Sequence, residues 1–263
     1  MMHASLPYLG RAGVKCYLSS PKGTRFVFIL FQMEDAEPLA VMSADVLGRF
    51  RTGAASAVAT KHLLRQSEFD FALCGAGRQA LTQVLAMGEV ASLESVRVWS
   101  PHRERRELLA TELRKLGFEA SARGRLDDAL AGVGVATAIT SSKDPFLTPK
   151  LLRSVKHLNL CGSNNATRSE ASPECIGGFQ TFVVDDLLQS RTEAGDLLGA
   201  ERKGFFSWDR AFELKDVVAG RVHPVGRTLY KSNGVAIEDV ATASLVYDRA
   251  VGKGGYADLV LGF

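Results

Sequence analysis

The sequence predicts an α/β protein with a doubly wound parallel sheet and a smaller second domain of mixed α and β structure. An apolar run ends in Gly75-x-Gly77-x-x-Ala80, and a helix-favouring sequence follows. Strand-length and helix-length segments then alternate, which is typical of βαβ units and a Rossmann-type parallel sheet. The N-terminal segment predicts neighbouring strands and the C-terminal segment a separate helix. Both chain ends are therefore expected to build the second domain.

The elements of the parallel domain follow from short apolar runs and from helical periodicity. Strands are predicted at residues 69–74, 96–99, 118–122, 135–140, 157–161 and 181–184. Helices are predicted at residues 78–88, 103–116 and 126–130. Gly117 ends the second of these helices, as glycine often does.

The second domain is expected from residues 1–58 and 228–263, and the parallel domain from residues 59–227. Strands are predicted at residues 13–18, 25–32 and 39–42. An alanine-rich helix over residues 44–63 is expected to split near residues 51–53, where Gly53 stands. The last helix, over residues 235–251, has apolar residues near helical spacing.

Composition narrows the class of protein. The chain has 263 residues, of which 46% are hydrophobic and 23% charged, as in soluble globular proteins. A net charge of +3 gives no reason to expect nucleic acid or a membrane surface as a partner. Without a signal-peptide pattern or a C-x-x-C spacing, the expectation is a cytoplasmic protein with reduced cysteines. No histidine spacing suggests a metal site.

The glycine turn is a candidate dinucleotide site. Gly75 would allow the tight turn, Gly77 the approach of backbone to the phosphates, and Ala80 close packing of the helix on the sheet. The helix N-terminus would then offer free N–H groups and a positive dipole end to the anion. A glycine-rich turn that binds no ligand has the same sequence pattern. The neighbouring motifs must therefore decide between a nucleotide site and an ordinary turn.

Five segments together resemble the ornithine cyclodeaminase/mu-crystallin family over about residues 10–250. They are G-V-K at 13–15, R-T-G-A-A-S-A at 51–57, G-A-G-R-Q-A at 75–80, H-L-N-L-C-G-S-N at 157–164 and Y-K-S-N-G-V-A-I-E-D at 230–239. The resemblance implies a nicotinamide cofactor at a cleft between a Rossmann domain and a dimerising substrate domain, and a homodimer. It also implies a small imino or amino acid substrate, because members include ornithine cyclodeaminases, archaeal-type alanine dehydrogenases and reductases of ketimines and cyclic imines.

The second strand favours NADP(H) over NAD(H). It ends in Trp99-Ser100-Pro101-His102-Arg103, without the carboxylate that binds the ribose hydroxyls of NAD. Ser100 can donate a hydrogen bond and Arg103 can pair with a 2′-phosphate. Arg105 and Arg106 are interpreted as a solvated helix start.

The resemblance adds cofactor neighbours, among them a Lys-Ser pair found in NADP-dependent crystallin-like members. Thr140 and Ser141 stand at the carboxyl end of a predicted strand, where Rossmann ligands bind, although an ordinary turn would explain them equally well. The expected cofactor-binding residues are Thr52, Gly75, Ala76, Gly77, Arg78, Gln79, Ser100, His102, Arg103, Thr140, Ser141, Cys161, Lys231 and Ser232.

Lys15, Arg51 and Asn164 are the expected catalytic residues. Lys15 and Arg51 match family positions that contact the substrate, although charged residues are in general mostly exposed. Arg51 could bind a carboxylate through two parallel hydrogen bonds, and Lys15 could supply charge or a proton. Asn164 stands where cyclodeaminases carry a catalytic Asp; an amide cannot shuttle a proton, but it can orient a substrate or water. Asp185-Asp186 is expected to be a strand-end polar pair rather than an acid–base pair, because adjacent side chains of an extended chain point oppositely.

The expected activity is therefore reduction of a C=N bond alpha to a carboxylate. Ornithine cyclodeamination and alanine dehydrogenation are the alternatives within amino-acid metabolism, and a non-catalytic NADP(H)-binding homologue is the alternative of another class. Family members usually begin with a further helix and strands, so the substrate domain is expected to be shortened, or the start codon misassigned.

Overall fold

The computed structural model describes residues 1–21, 23–254 and 256–257. The chain divides into two compact units, Thr52–Gly234 and a second unit of Met1–Arg51 with Val235–Phe263. Residues 258–263 of the expected second domain lie outside the described residues. The divisions fall at 51/52 and 234/235 rather than at the expected 58/59 and 227/228.

In chain order the strands are β1 (Met2–Leu6), β2 (Arg11–Ser20), β3 (Gly23–Gln32), β4 (Pro38–Ser43), β5 (Glu68–Cys74), β6 (Ser92–Trp99), β7 (Ala120–Arg123), β8 (Val135–Ala138), β9 (His157–Leu160), β10 (Thr181–Val184), β11 (Ala211–Glu213) and β12 (Thr228–Lys231). The helices are α1 (Ala44–Leu64), α2 (Ala80–Gly88), α3 (Arg103–Lys115), α4 (Leu126–Leu130), α5 (Pro173–Ile176), α6 (Leu187–Glu193), α7 (Gly195–Arg202), α8 (Leu214–Val218) and α9 (Ala236–Lys253). Short 3₁₀ segments lie at Pro7–Leu9 and Trp208–Arg210.

The unit Thr52–Gly234 contains an eight-stranded sheet in the order β11-β10-β12-β9-β8-β5-β6-β7, all of whose pairs are parallel. The chain runs from β5 outward to β7 and then returns to place β8 on the other side of β5. This reversal confirms the doubly wound fold and sets a topological switch point, where such sheets bind ligands. Alternate residues of β5 enter two separate hydrophobic clusters, Phe71 and Leu73 in one and Ala72 and Cys74 in the other, so the sheet is buried on both faces.

The contacts of β12 explain why the second division falls at 234/235, after this strand. It pairs with β9 on one side and β10 on the other. Tyr230 of β12 also packs with Val183 and with Ala59 and Leu63 in the second half of α1. These contacts join residues 52–58 and 228–234 to the parallel sheet.

The unit of both chain ends is an antiparallel sheet in the order β1-β2-β3-β4 with one long helix. Phe28 and Leu30 of β3 form a core with Leu6 of β1 and with Val240 and Ala243 of α9. β1, which no strand pattern predicted, pairs along its whole length with β2.

α1 is one continuous helix, so the break predicted near residues 51–53 is wrong. Gly53 serves close packing instead of helix termination. A Cβ on Gly53 would stand 2.3 Å from the carbonyl oxygen of Thr82 in α2, an approach that no other residue permits.

His157 is a fully buried histidine in β9 whose partners define its protonation. The Asn159 amide nitrogen donates to Thr60 and Thr137, so the amide oxygen, 3.0 Å from His157 Nε2, accepts the proton of that nitrogen. His157 Nδ1 then accepts from the Thr228 hydroxyl at 2.7 Å. Burial lowers the pKa of His157 to about 4, against a smaller opposing effect of the Asn159 hydrogen bond.

We expect this histidine to destabilise the protein in mild acid. Above pH 6.5 the imidazole is neutral in both the folded and the unfolded chain, and between 6.5 and about 4 the unfolded chain alone takes up the proton. The free energy of unfolding should therefore fall by about 3 kcal/mol across that window. Urea unfolding at pH 7 and pH 4.5 measures the loss, which should shrink in His157→Gln and persist in His3→Gln, whose histidine is exposed. Equal losses in all three proteins would contradict the assignment.

Candidate functional site

A cavity of about 520 Å³ opens at the switch point of the parallel sheet. It is formed by the segments that follow the carboxyl ends of β5, β6, β8 and β9. Its lining residues are Gly75, Ala76, Gly77, Arg78, Gln79, Trp99, Ser100, Pro101, His102, Arg105, Ile139, Thr140, Ser141, Ser142, Phe146 and Gly162. Nine residues expected to bind the cofactor lie in this set.

Gly75 and Gly77 have different structural roles in the turn after β5. Gly75 has a φ of +126°, and a Cβ there would stand 2.4 Å from the carbonyl oxygen of Ile139. Gly77 has no heavy atom of the described residues within 4 Å of its Cβ position, so it faces open space. The turn therefore needs Gly75 for its own backbone, whereas Gly77 leaves room for a ligand at the N-terminal end of α2. A pyrophosphate fits that space and the positive end of the helix dipole.

The end of β6 presents hydroxyl, imidazole and guanidinium groups to the cavity. Ser100 and His102 line it, and the arginine that lines it is Arg105, not Arg103 as expected. Arg106, interpreted from sequence as solvated, donates from Nη1 to the Ser100 carbonyl at 2.9 Å and so supports the strand end.

Seven other predicted residues do not line this cavity, and two of them, Lys15 and Arg51, are described below. Thr52 is buried in α1, and Asn164 is exposed in the segment after β9. Cys161 Sγ lies 3.1 Å from Ser56 Oγ, and burial raises the pKa of the thiol to about 12, so it stays protonated. The remaining two are Lys231 and Ser232.

Lys231, the last residue of β12, and Ser232, which follows it, both hold neighbouring loops in place. Lys231 is fully buried and donates from Nζ to the Ser163 carbonyl at 2.5 Å, with Asp196 at 3.4 Å as its ion-pair partner. Ser232 donates to Asp185 at 3.2 Å. Their side chains therefore serve protein groups that the Lys-Ser resemblance did not reveal.

Asp185 and Asp186 diverge, as expected for a strand-end pair. Asp185 accepts the backbone N–H groups of Asn233 and Gly234 at 2.7 and 2.6 Å, and also the Tyr230 hydroxyl. Asp186 caps α6 by accepting from Gln189 N at 2.7 Å.

The unit of both chain ends holds a compact ionic cluster, formed by Lys15, Arg51, Glu238 and Asp239. Lys15 Nζ lies 2.5 Å from Asp239 Oδ2, and Arg51 Nε lies 3.2 Å from Asp239 Oδ1. Arg51 Nη1 lies 3.1 Å from Glu238. Both carboxylates stand in the first turn of α9, where the helix dipole favours anions.

Burial sets the electrostatics of this cluster. Lys15 is 5% exposed and Asp239 is fully buried, so the general rule that charged residues are exposed does not hold for Lys15. Burial lowers the pKa of the Lys15 ammonium, Arg51 adds to the lowering, and Asp239 opposes it. The arrangement can present fixed cationic groups to an anion and hold a proton that is easier to release than that of an ordinary lysine.

Sequence reasoning missed Glu170 and Asp239. Glu170 is fully buried and accepts hydrogen bonds from two segments of the cavity wall. It lies in an irregular segment with no periodic pattern, so a single sequence carries no signal for it. Asp239 lay inside the 230–239 motif, and its apolar helical neighbours were the available hint.

The fold and the cavity at its switch point define an α/β protein of the Rossmann class. The chain belongs to the ornithine cyclodeaminase/mu-crystallin family, whose model matches residues 1–254. A relative, the Δ¹-pyrroline-2-carboxylate reductase of Bacillus cereus, is 30% identical over 234 residues, 87% of this chain and 72% of that protein.

Two solved structures of family enzymes are similar to this chain. The Δ¹-pyrroline-2-carboxylate reductase of Thermococcus litoralis, in complex with NADH and L-proline, has a TM-score of 0.86 and 26% identity, covering 98% of this chain and 88% of that one. An archaeal alanine dehydrogenase dimer with bound NAD has a TM-score of 0.87 and 27% identity, covering 99% and 83%.

Three further features of the described residues concern their cysteines, their helices and the side chains that could ligate a metal. All four cysteines lie in the described part of the chain and are free thiols. Among the described residues, no helix has the length and apolarity needed to cross a membrane. Nor does any group of three His, Cys, Asp or Glu side chains there have the arrangement of a metal site.

Proposed function

We propose that the protein is an NADP(H)-dependent oxidoreductase that reduces a C=N bond alpha to a carboxylate. The observation that carries the proposal is the pair of cations formed by the buried Lys15 and the partly buried Arg51, in a chain that also holds a glycine-lined cavity at a Rossmann switch point. The pyrroline-2-carboxylate reductases similar to this chain support the reaction class.

The chain's own residues account for substrate binding and proton supply. When bound, the nicotinamide supplies hydride to the imine carbon. Arg51 holds the substrate carboxylate, and its guanidinium is oriented for this by Asp239 and Glu238. Lys15 holds at Nζ the proton that the imine nitrogen needs, and its lowered pKa makes that proton easier to transfer. Asn164, an amide, takes no part in proton transfer in this mechanism.

The cofactor preference for NADP(H) is supported by the end of β6. Ser100 occupies the strand tip without a carboxylate, and Arg105 lines the cavity. Binding of a 2′-phosphate requires that no carboxylate stands at the tip of this strand and that a cation lies nearby. The relatives with NADH or NAD bound show that the family also accepts the unphosphorylated cofactor.

The preference can be reversed by changing these two side chains. We expect Ser100→Asp to lower kcat/KM for NADPH at least ~tenfold while sparing NADH, because the new carboxylate repels the 2′-phosphate and binds ribose hydroxyls. Arg105→Ala should weaken NADPH binding about tenfold, because it removes one charge-assisted contact. Arg103→Ala is the matched control on the same helix and should change neither. Steady-state kinetics with both cofactors measures this, and higher efficiency with NADH in the wild type would refute the assignment.

The reaction itself is tested by following NADPH oxidation with pyrroline-2-carboxylate, piperideine-2-carboxylate, and pyruvate with ammonia or amines. Turnover of a cyclic imine supports the proposal. Turnover of pyruvate with ammonia alone would favour an alanine dehydrogenase. NADPH binding without oxidation of any of them would favour a non-catalytic homologue. Like the archaeal relative, the protein is proposed to act as a homodimer, which sedimentation would test.

A further inference from the structure

Glu170 is a buried carboxylate that the proposed chemistry does not use. Its Oε1 accepts from the backbone N–H of Thr140 at 2.7 Å and from the Thr140 hydroxyl at 2.8 Å. Its Oε2 accepts from the backbone N–H of Gly162 at 2.8 Å. Thr140 follows β8 and Gly162 follows β9, and both line the nucleotide cavity. One side chain therefore joins two separate walls of the cavity.

The backbone of Glu170 reaches a third wall. Its carbonyl oxygen accepts the N–H of Phe146 at 3.0 Å. Phe146 lines the cavity and stacks against Trp99, with ring centroids 5.5 Å apart. The Glu170 N–H in turn donates to Asp196 at 2.7 Å.

The atoms around the Glu170 carboxylate are closely packed. A Cβ on Gly162 would stand 2.3 Å from Glu170 Oε1 and 2.4 Å from the Thr140 carbonyl oxygen. Glycine at position 162 is thus what admits the carboxylate between the two segments.

Several groups set the charge state of Glu170. Burial, followed by the neighbouring Asp196 carboxylate, raises the pKa of Glu170 to about 7, while Lys231 and the Thr140 hydrogen bonds oppose the rise. The Cys74 and Cys161 thiols also lie near it, and burial raises the pKa of both, so both stay neutral.

We propose that ionised Glu170 is a positioning residue that holds the β8 and β9 segments in the conformation that binds the cofactor, and that its protonation releases them. An ionised carboxylate accepts hydrogen bonds at both of its oxygens. A protonated carboxyl group carries an O–H on one oxygen, and this O–H faces a backbone N–H from which that oxygen otherwise accepts a hydrogen bond. Cofactor affinity then falls as pH drops through neutrality. This inference rests on the proposed nucleotide site.

The test compares wild type, Glu170→Gln and Glu174→Gln by direct NADPH binding, read from cofactor fluorescence between pH 5.5 and 8.5. In Glu170→Gln one oxygen becomes an NH₂ group, so the side chain keeps its shape but cannot accept from both segments. We expect its Kd at pH 8 to rise about tenfold, the loss of one hydrogen bond to a charged acceptor. The wild type should weaken toward acid about tenfold more than this variant. Any pH dependence that does not come from Glu170, such as that of the 2′-phosphate, is common to both proteins and cancels in the difference.

Glu174→Gln is the matched control, because Glu174 pairs with Lys203 at the surface and does not line the cavity. Thermal unfolding distinguishes positioning from simple support, since a Glu170→Gln protein that stays fully folded at the temperature of the binding assay can lose affinity only at the cofactor site. Equal affinity and equal pH dependence in Glu170→Gln and wild type would overturn the inference. So would a loss of affinity that only parallels a loss of thermal stability.

If Glu170→Gln does not fold, the decision passes to NADH binding by the wild type over the same pH range, because NADH has no 2′-phosphate. Weakening with a midpoint near pH 7 supports the inference, and a flat profile overturns it. Failure of wild type to bind any nicotinamide cofactor would instead refute the proposed function.

Discussion

Arg51→Ala is expected to lower kcat/KM for the imine substrate about a hundredfold or more while leaving the Kd for NADPH unchanged. The substitution removes the two-pronged cation proposed to hold the substrate carboxylate. Loss of one partner of a desolvated, hydrogen-bonded charge pair costs about 3 kcal/mol, and each 1.4 kcal/mol is roughly a factor of ten in rate. Steady-state kinetics with a cyclic imine, together with NADPH titration, measures both quantities.

Two further variants separate substrate binding from structural support. Arg51 also pairs with Glu238 and with Asp239, whose carboxylate is fully buried, so Arg51→Ala can affect folding. Arg51→Lys keeps the charge but loses the planar fork, and should still lower kcat/KM about tenfold or more. Arg49→Ala, which removes the i,i+4 partner of Asp45 on the same helix, should leave the kinetics unchanged. Wild-type kcat/KM in Arg51→Ala would remove Arg51 from the mechanism.

Gly75→Ala is expected to destabilise the protein by about 3 kcal/mol or more and to abolish cofactor binding. Its Cβ would stand 2.4 Å from the Ile139 carbonyl oxygen, at a φ of +126° that side chains disfavour. Backbone strain of this kind and overpacking each cost about 1–3 kcal/mol. Urea unfolding and NADPH titration measure the two effects.

Gly77→Ala should behave differently from Gly75→Ala. Space around its Cβ position is open among the described residues, so stability should remain at the wild-type level. NADPH affinity should fall about tenfold or more, because the methyl group enters the space proposed for the pyrophosphate. Gly134→Ala is the control, since its Cβ also meets no described atom within 4 Å and Gly134 does not line the cavity. Wild-type affinity in Gly77→Ala would place the pyrophosphate elsewhere.

Much of the parallel sheet could be predicted because its signals are local. An apolar run of seven residues or fewer, a glycine turn and a helical repeat each depend on neighbours in sequence. The same local signals misled at Gly53, where glycine serves contact with Thr82 rather than a helix break. β12 was missed because a four-residue run between β9 and β10 is recognisable only from the strands that flank it.

By itself, the sequence determined the family, the doubly wound fold and the segments that line the cavity at the switch point. The tertiary structure decided which charged groups are buried and what they face. Lys15 meets Asp239 across 224 positions of sequence, and Glu170 meets Thr140 across 30. It also showed that Arg105 rather than Arg103 lines the cavity, and that Lys231 donates to the Ser163 carbonyl in the segment after β9. Desolvation and ion pairing depend on distances between residues remote in sequence, and no local pattern encodes those distances.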